Sequence, residues 1–565
     1  MSQSLSRRHF LSLSATTIGG IALSTSMTGC AISSSSTDTL SDIDFSHGVA
    51  SGDPLKDAVI LWTRALPKDN RSNASLAWEL STDKSFTNII RSGVVLASES
   101  RDYTVKVDVQ ELSPATEYFY RFKGRTQTST VGRTKTLPVN DPQQIKFVVV
   151  SCSNYPAGYF NAYQEAAKTP DLDAVLHLGD YIYEYDAKGY ATERAAEIGR
   201  EFADDNLGEL LTLKDYRNRY AIYRTDEGLA ALHAAAPFIA VWDDHEVMND
   251  TWSAGGENHN LGEGDFFERR AAAIQAYYEW LPIRPPKGEL QPHIYRTFDF
   301  GKLLSLHMLD TRVIGRDQQL NYADYMDKQT KQMDTSRFIA DLYDDNRSLL
   351  GKEQFSWLAN SLKDSQAKWQ LLGQQVLMGK MHIPAVMLGN LGKQDSAALT
   401  KKLTIIKSRL LAGEALTPQE QSLINTVLPY NLDAWDGYPA EREKLYAEAA
   451  KLGKKLVVVA GDTHNAWTSQ LTDKAGGIVG VEFATPAVTS PGVETYLKLD
   501  EQGAMQTAQA LTLLIDDLQY CDLRQRGYLA LEISESGINA NWTFIDNILS
   551  TEYQVTNTHT VNYSV

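Results

Sequence analysis

The sequence predicts an all-β sandwich at the N-terminal side joined to a larger α/β domain in which sheets and helices form layers. Three observations carry that expectation. Residues 43–139 break into short strand-like runs separated by Ser, Gly, Pro and Asp turns at sandwich-like spacing. From residue 140 to about 550 apolar runs alternate with helical stretches, the pattern of an α/β domain. Four of those runs end in residues that bind metals, at the strand ends where α/β sheets place their ligand crevices.

Residues 1–30 read as a targeting segment. Ser6-Arg7-Arg8-His9-Phe10-Leu11 is a twin-arginine pattern followed by a short apolar stretch, so the expected partner during export is the Tat translocon. Met27-Thr28-Gly29-Cys30 resembles a lipobox, with Cys30 lipidated and attached to the membrane; an ordinary cleaved signal with an incidental cysteine is the alternative. The stretch is too short and too rich in Ser and Thr for a transmembrane anchor. The expected location is therefore exported, periplasmic or at the cell surface. Residues 31–42 read as a linker.

Within residues 43–139 the strand-like runs include Val59-Ile-Leu-Trp-Thr63, Ala77-Trp-Glu-Leu80, Val94-Val-Leu96, Tyr103 to Val109 and Tyr118-Phe-Tyr-Arg-Phe122. Leu112-Ser-Pro-Ala-Thr-Glu-Tyr118 resembles the loop and tyrosine of fibronectin type III modules. No chemistry is visible there, and packing beside the larger domain is the expected role. Helical periodicity follows in Asp215 to Tyr223, Phe266 to Leu281 and Lys352 to Ser365. Further strands are expected at Leu303 to Leu309 and Trp369 to Leu371. The Leu- and Lys-rich stretch from Val386 to Thr426 reads as a helical insertion. Tyr528 to Ile533 and Ala540 to Phe544 read as a closing hairpin, and residues 551–565 as a loose tail.

Composition narrows the partners. Of 565 residues, 54 are basic and 71 acidic, a net charge of −17. A duplex nucleic acid needs clustered Lys and Arg, so it is not an expected partner. Small phosphate esters remain open, because one bound metal reverses the local field. Of the 3 cysteines, Cys30 belongs to the targeting segment. The remaining pair, Cys152 and Cys521, make no disulfide framework.

The four strand ends are Phe147-Val-Val-Val-Ser-Cys152, Val175-Leu-His-Leu-Gly-Asp180-Tyr-Ile-Tyr183-Glu184, Phe238-Ile-Ala-Val-Trp-Asp-Asp244-His245-Glu246 and Leu456-Val-Val-Val-Ala-Gly-Asp462-Thr-His464. Singly each has an ordinary explanation: a turn Asp, a core Tyr, an Asp that caps a helix. Together, in this order, they indicate one shared metal centre. His177, inside an apolar strand, reads as a core residue. Tyr155, Tyr159, Tyr163, Tyr181 and Tyr185 either line a cleft or pack the interior.

On these motifs the sequence resembles the metallophosphoesterase superfamily, and within it the PhoD-like (alkaline phosphatase D) phosphatases and phosphodiesterases. Phe45-x-x-Gly48-Val-Ala-Ser-Gly-Asp-Pro54, Leu309-Asp-Thr-Arg312, Leu350-Gly-Lys-Glu-Gln354, Asp436-Gly-Tyr438 with Arg442, and Val481-Glu-Phe-Ala-Thr-Pro486 add to the resemblance. It implies a four-layer α/β/β/α metallophosphoesterase domain beside the fibronectin-III-like sandwich, and phosphoric ester hydrolysis. Cys152 stands where the superfamily has its first Asp ligand, and Tyr183 where it has a second, as in purple acid phosphatases.

Thiolate and phenolate donors beside Asp180 and His464 suit iron(III) best, with zinc as the competing metal. The second metal is expected to share Asp180 and to gain Asp244 and Asp462. Gln374 or Gln375 occupies the place of the superfamily's separate His. An all-oxygen site favours a hard cation, and the resemblance implies an iron–calcium centre. Two cations about 3.5–4 Å apart would clamp a phosphate and activate a water, with inversion at phosphorus. His245 is the expected phosphate contact or proton donor. Arg312 is expected to bind a phosphate oxygen or form a structural ion pair, and Asn154 to face the phosphate. Glu184 and Glu246 are expected to orient ligands.

Substrates on this account are small phosphate monoesters or diesters, or phospholipid, the last making a phospholipase D-like diesterase the nearest rival. A non-catalytic surface binding protein with a decayed enzyme domain is the rival of another class, opposed by four intact ligand clusters.

Overall fold

The structure is a computed structural model that describes residues 40–285, 292–330, 332–390, 393 and 396–564. Arg7, Arg8 and Cys30 lie outside the described residues.

The apolar runs form strands. Gln144–Val150, Ala174–His177 and Phe238–Ala240 lie side by side and parallel, pairing Val150 with His177 and His177 with Ala240. They sit in a nine-stranded sheet with the order Val555–Tyr563, Ile538–Ile545, Arg526–Ser534, Gln144–Val150, Ala174–His177, Phe238–Ala240, Val49–Gly52, Val59–Arg64, Thr104–Val109. A seven-stranded sheet has the order Arg296–Phe300, Leu304–Met308, Trp369–Gln374, Leu456–Ala460, Ile478–Ala484, Ala466–Thr472, Leu518–Asp522.

Alternation along one strand shows how the layers stack. In Leu456–Ala460, Val457 and Val459 enter a core shared with Phe147, Val149 and Trp542 of the larger sheet. Leu456, Val458 and Ala460 point the other way, against Leu358 and Leu362 of helix Gly351–Asp364 and Leu445 of helix Pro439–Lys451. A strand buried on both faces reads as a continuous apolar run, and each fully buried Val contributes on the order of 1.5–3 kcal/mol. Indole donors tie the sheets face to face: Trp542 Nε1 to the Ala484 carbonyl at 2.8 Å and Trp369 Nε1 to that of Ser534 at 2.8 Å. Helices Asn161–Ala166, Leu213–Tyr223 and Glu227–Ala235 place Tyr163, Tyr220 and Leu229 against the larger sheet. The layers are thus helix, sheet, sheet, helix.

The N-terminal strands pack around Leu61, Trp78, Leu80, Tyr120 and Phe122. A four-stranded sheet, Ile89–Ser98, Asn73–Ser81, Glu117–Lys123, Gly132–Lys135, forms one side. Tyr118 closes the corner expected of it, its hydroxyl accepting from the Ser113 N–H at 2.9 Å. The other side is not a separate sheet, as a free-standing sandwich would have. Val49–Gly52 continues the nine-stranded sheet by pairing Gly52 with Phe238. Gly52 is needed there because a Cβ would come within 2.6 Å of the Phe238 carbonyl. The next residue, Asp53, accepts from Arg296 Nη2 at 2.6 Å and from the Arg284 N–H at 2.7 Å. Ser-Gly-Asp in the opening motif is thus a weld between the two parts of the chain.

The insertion is helical as expected, in Ala385–Leu388, Ser396–Leu411 and Pro418–Asn425, the last with a Thr417–Glu420 capping box. The tail is not loose. Val555–Tyr563 pairs antiparallel with Ile538–Ile545, and His559 stacks on Tyr520 at 3.6 Å. Its β-branched Thr and Val residues favour an edge strand even though few of them are apolar.

Candidate metal centre

The four predicted strand ends meet. Ligand atoms of Cys152, Asp180 and His464 all lie within 4.8 Å of one another, as do those of Asp180, Asp244 and His245, and those of Asp243, Asp244 and Asp462. Asp180 belongs to the first two groups and Asp244 to the last two, so the groups form one continuous site. Tyr183 completes it. Its hydroxyl donates to Asp180 Oδ2 at 2.9 Å and lies 3.3 Å from His464 Nε2.

Backbone geometry explains why the side chains converge. Cys152, Asp180, Asp462 and His464 have φ of 60°, 53°, 57° and 60°. Left-handed conformations are rare for residues with a Cβ and cluster at functional sites, where the surrounding fold holds them. Each turns the chain sharply just past its strand. Gly179 permits a close crossing: at φ 103°, a Cβ there would lie 2.4 Å from the Asp243 N. Glu246 fastens the same crossing by accepting from the N–H groups of Asp180 at 3.1 Å, Tyr181 at 2.5 Å and Asp243 at 2.7 Å. Glu184 accepts from the Asn249 N–H and Asn258 Nδ2, both at 2.7 Å, and holds His245 through Nδ1 at 2.7 Å. Glu246 therefore fastens the backbone at Asp180, an expected ligand, whereas Glu184 holds His245, which was not expected to be one.

The site suits cations. Asp180 Oδ1, Asp243 Oδ2 and Asp244 Oδ1 are buried oxygens with no hydrogen-bond partner among the described residues. Buried carboxylate oxygens left this way are costly unless something positive meets them. Burial and the Asp180 charge push the Cys152 thiol and the Tyr183 phenol well above their usual ranges. Burial likewise raises Asp462 to about 7, with Arg312 opposing and Asp433, Asp244 and Asp180 adding. These groups resist ionising together until a cation compensates them. His245 behaves oppositely: burial disfavours its charge, but Asp244, Glu184 and Asp180 outweigh that and hold it protonated. Asp244 is drawn down to about 2, burial being overcome by Arg312 and His245.

Three expected roles fall differently. Arg312 is fully buried, and each of its nitrogens serves a carboxylate: Nε to Asp243, Nη1 to Asp433 at 2.9 Å and Nη2 to Asp462 at 3.0 Å. It takes the ion-pair alternative and presents no free fork to a phosphate. Asn154 donates through Nδ2 to the Tyr190 carbonyl at 3.3 Å and accepts from the Tyr223 hydroxyl at 3.5 Å, which turns its amide into the protein. Neither glutamine is available as a ligand. Gln374 bonds the Val376 carbonyl at 2.6 Å and Trp435 Nε1 at 2.8 Å, and Gln375 bonds Thr311 Oγ1 and the Trp242 carbonyl, both at 2.7 Å.

Sequence reasoning missed Asp243, Asp433 and Tyr190. Asp243 was visible as the first of two adjacent aspartates. Asp433 lies three residues before Asp436, whose pairing with Arg442 at 2.7 Å anchors the loop that presents it. It also pairs with Arg316, so Arg312 and Arg316 face the carboxylates of Asp243, Asp244, Asp433 and Asp462. Tyr190 stacks on Tyr183 with ring centres 5.7 Å apart. Of the five tyrosines in question, Tyr185 flanks the site, 5.4 Å from the His245 ring. Tyr155, half-buried, stacks on Phe202, Tyr159 donates to the Ile198 carbonyl at 2.8 Å, and Tyr163 bonds His177 and Tyr181 bonds His233 in the interior. His177 is a neutral core residue, its pKa lowered by burial to about 3.

Comparison with known proteins shows what the chain is similar to. Residues 147–542 match the profile of the PhoD-like phosphatases, and residues 29–138 that of the PhoD-like phosphatase N-terminal domain. Alkaline phosphatase D of Bacillus subtilis (strain 168) is 37% identical over 471 residues, covering 80% of this chain and 70% of that protein. The solved structure of PhoD is 31% identical, with a TM-score of 0.72 over 92% of this chain and 90% of that one.

Proposed function

We propose that this chain, which belongs to the PhoD-like phosphatase family and is a phosphoric ester hydrolase, works through a two-cation centre of the iron–calcium type. The trivalent ion would be held by Cys152, Asp180, Tyr183 and His464, and the hard cation by Asp180, Asp244 and Asp462, with Asp243 and Asp433 close by. The observation that carries this reading is the division of donors. Sulfur, phenol and the His464 imidazole gather on one side of Asp180, while on the other the carboxylates of Asp243, Asp244 and Asp462 gather, with the imidazole of His245 beside them and held through Nδ1 by Glu184. Bound cations would supply Lewis acidity toward the phosphoryl oxygens and a water of lowered pKa as nucleophile.

The chain's own groups account for the rest. Glu184 occupies His245 Nδ1 and favours the charged form of the ring, so Nε2 is the nitrogen left to meet a phosphoryl oxygen or to give a proton to the departing alkoxide. Tyr185 and Tyr190 flank that position and offer apolar faces to the alcohol portion of an ester. Arg312 does not touch substrate in this scheme. It balances the carboxylates that hold the hard cation.

Small phosphate esters or phospholipids are the proposed substrates. Export by the Tat route, with Cys30 as a lipid attachment, rests on the N-terminal sequence. The functional reading is tested by chelation and a substrate panel. EGTA should abolish turnover of p-nitrophenyl phosphate, its bis ester and phosphatidylcholine, and calcium should restore it; activity indifferent to EGTA rejects the hard-cation site.

A further inference from the structure

Residues 487–492 touch every stretch that supplies the sulfur and phenol side of the centre. They follow the strand Ile478–Ala484, whose Glu-Phe-Ala-Thr-Pro run was singled out in the sequence without a role. The Ala487 N–H donates to the His464 carbonyl at 3.1 Å, and the Val488 N–H to that of Ser151 at 3.1 Å. The Thr489 and Ser490 N–H groups both reach the Cys152 carbonyl at 3.3 Å. Thr489 Oγ1 accepts from the Asn154 N–H at 2.7 Å and donates to the Asn154 carbonyl at 2.8 Å.

Two contacts go to ligand side chains. Ser490 Oγ lies 2.6 Å from the Tyr183 oxygen and 3.0 Å from the Cys152 carbonyl, and the shorter contact takes its single proton to Tyr183. The Pro491 carbonyl lies 2.6 Å from His464 Nδ1. A carbonyl only accepts, so Nδ1 carries the ring proton and Nε2 keeps its lone pair, directed toward Tyr183 and Asp180. Tyr183 now gives its proton to Asp180. The Ser490 hydroxyl is thus a second hydrogen-bond partner, besides Asp180, of the oxygen that would ligate. Ser490 is completely buried, so water does not substitute for it. Outer partners of this kind fix ligand orientation and tune the metal.

We propose that residues 487–492 form a strap that preorganises this side of the centre, with Ser490 a positioning residue whose hydroxyl donates to the Tyr183 oxygen while Pro491 fixes the tautomer of His464. The inference rests on the reading that Tyr183 and His464 hold a ferric ion.

The full-length chain, purified with its native metals, provides the test. Wild type should show a visible phenolate-to-iron band, and a colourless, iron-free wild type overturns the ferric reading and this inference with it. In Ser490→Ala the band should move to longer wavelength, because an unbonded phenolate is a higher-lying donor. Iron affinity should fall roughly 10–100-fold. Ser490→Thr should restore both. Thr489→Val, which cuts the tie to Asn154 but not to Tyr183, should leave the band in place. Should Ser490→Ala fail to fold, Ser490→Cys, a weak donor of similar size, replaces it with the same expected direction. A coloured wild type whose band and iron affinity are unmoved in the folded variant refutes the inference alone. A shift in Thr489→Val equal to that in Ser490→Ala refutes the direct bond.

Discussion

Replacing Arg312 by Met separates a substrate clamp from an internal counter-charge. The guanidinium pairs with Asp243, with Asp433 at 2.8 Å, with Asp462 at 3.0 Å and more distantly with Asp244 at 3.7 Å, and it is shielded from solvent. Removing one partner of a buried ion pair costs about 3–5 kcal/mol, because the charge left behind has no compensation. Metal-free Arg312→Met should therefore lose about that much stability in equilibrium denaturation.

Two conditions should restore much of the loss. Calcium, bound as proposed, would place positive charge among the same carboxylates. Low pH protonates them: Asp462 already has a folded pKa of about 7 against the ordinary 3.8, so the folded state holds the extra proton between those values. Stability from this group is then greatest at or below pH 3.8 and declines as pH rises toward 7, and the variant's deficit should shrink on acidification. Denaturation of wild type and variant, with and without calcium at two pH values, makes the comparison. A metal-free variant as stable as wild type, whose only defect is a raised KM, would show that the guanidinium clamps phosphate after all.

Other perturbations address single links. Asp180→Asn should lose both metals and at least 100-fold in activity, since one carboxylate serves both groups; full metal content by elemental analysis would contradict the bridge. Gly179→Ala forces a Cβ to within 2.4 Å of the Asp243 backbone at a positive φ, and a loss of more than 2 kcal/mol with weakened metal retention is expected, checked by denaturation and metal analysis. The buried His177 has its pKa lowered to about 3, so the unfolded state takes up a proton that the folded state refuses. Stability should fall by about 1.4 kcal/mol per pH unit for this residue as pH drops from 6.5 toward 3, and His177→Gln should flatten that slope.

The layered fold was legible because its strands are buried on both faces, so runs such as Leu456-Val-Val-Val-Ala460 carry the same signal wherever they lie. The tail was not, because an edge strand of Thr, Asn and Val lacks apolar alternation and depends on its neighbour Ile538–Ile545 for definition. Nor was the fusion of sheets through Gly52, since one glycine in sequence does not announce which backbone approaches it. That Cys152, Asp180, Tyr183, Asp244, Asp462 and His464 come together was legible because each lies a few residues past the end of a buried apolar strand. Asp433 escaped because the strand before it, Val427–Pro429, is only three residues long and carries no apolar run, and for Arg312 phosphate binding and an ion pair stayed open because a sequence does not say which carboxylates a guanidinium meets. Gln374 and Gln375 were visible as departures from a pattern, but their amides are consumed by Trp435, Thr311 and Trp242.

The central claim is that one ferric ion sits where the four strand ends converge. Anomalous diffraction recorded on both sides of the iron absorption edge, from crystals of enzyme purified without added metal, tests it most directly. An iron peak bounded by Cys152 Sγ, Tyr183 Oη, His464 Nε2 and an Asp180 oxygen is expected. No iron peak there, or one bound elsewhere on the chain, would contradict it.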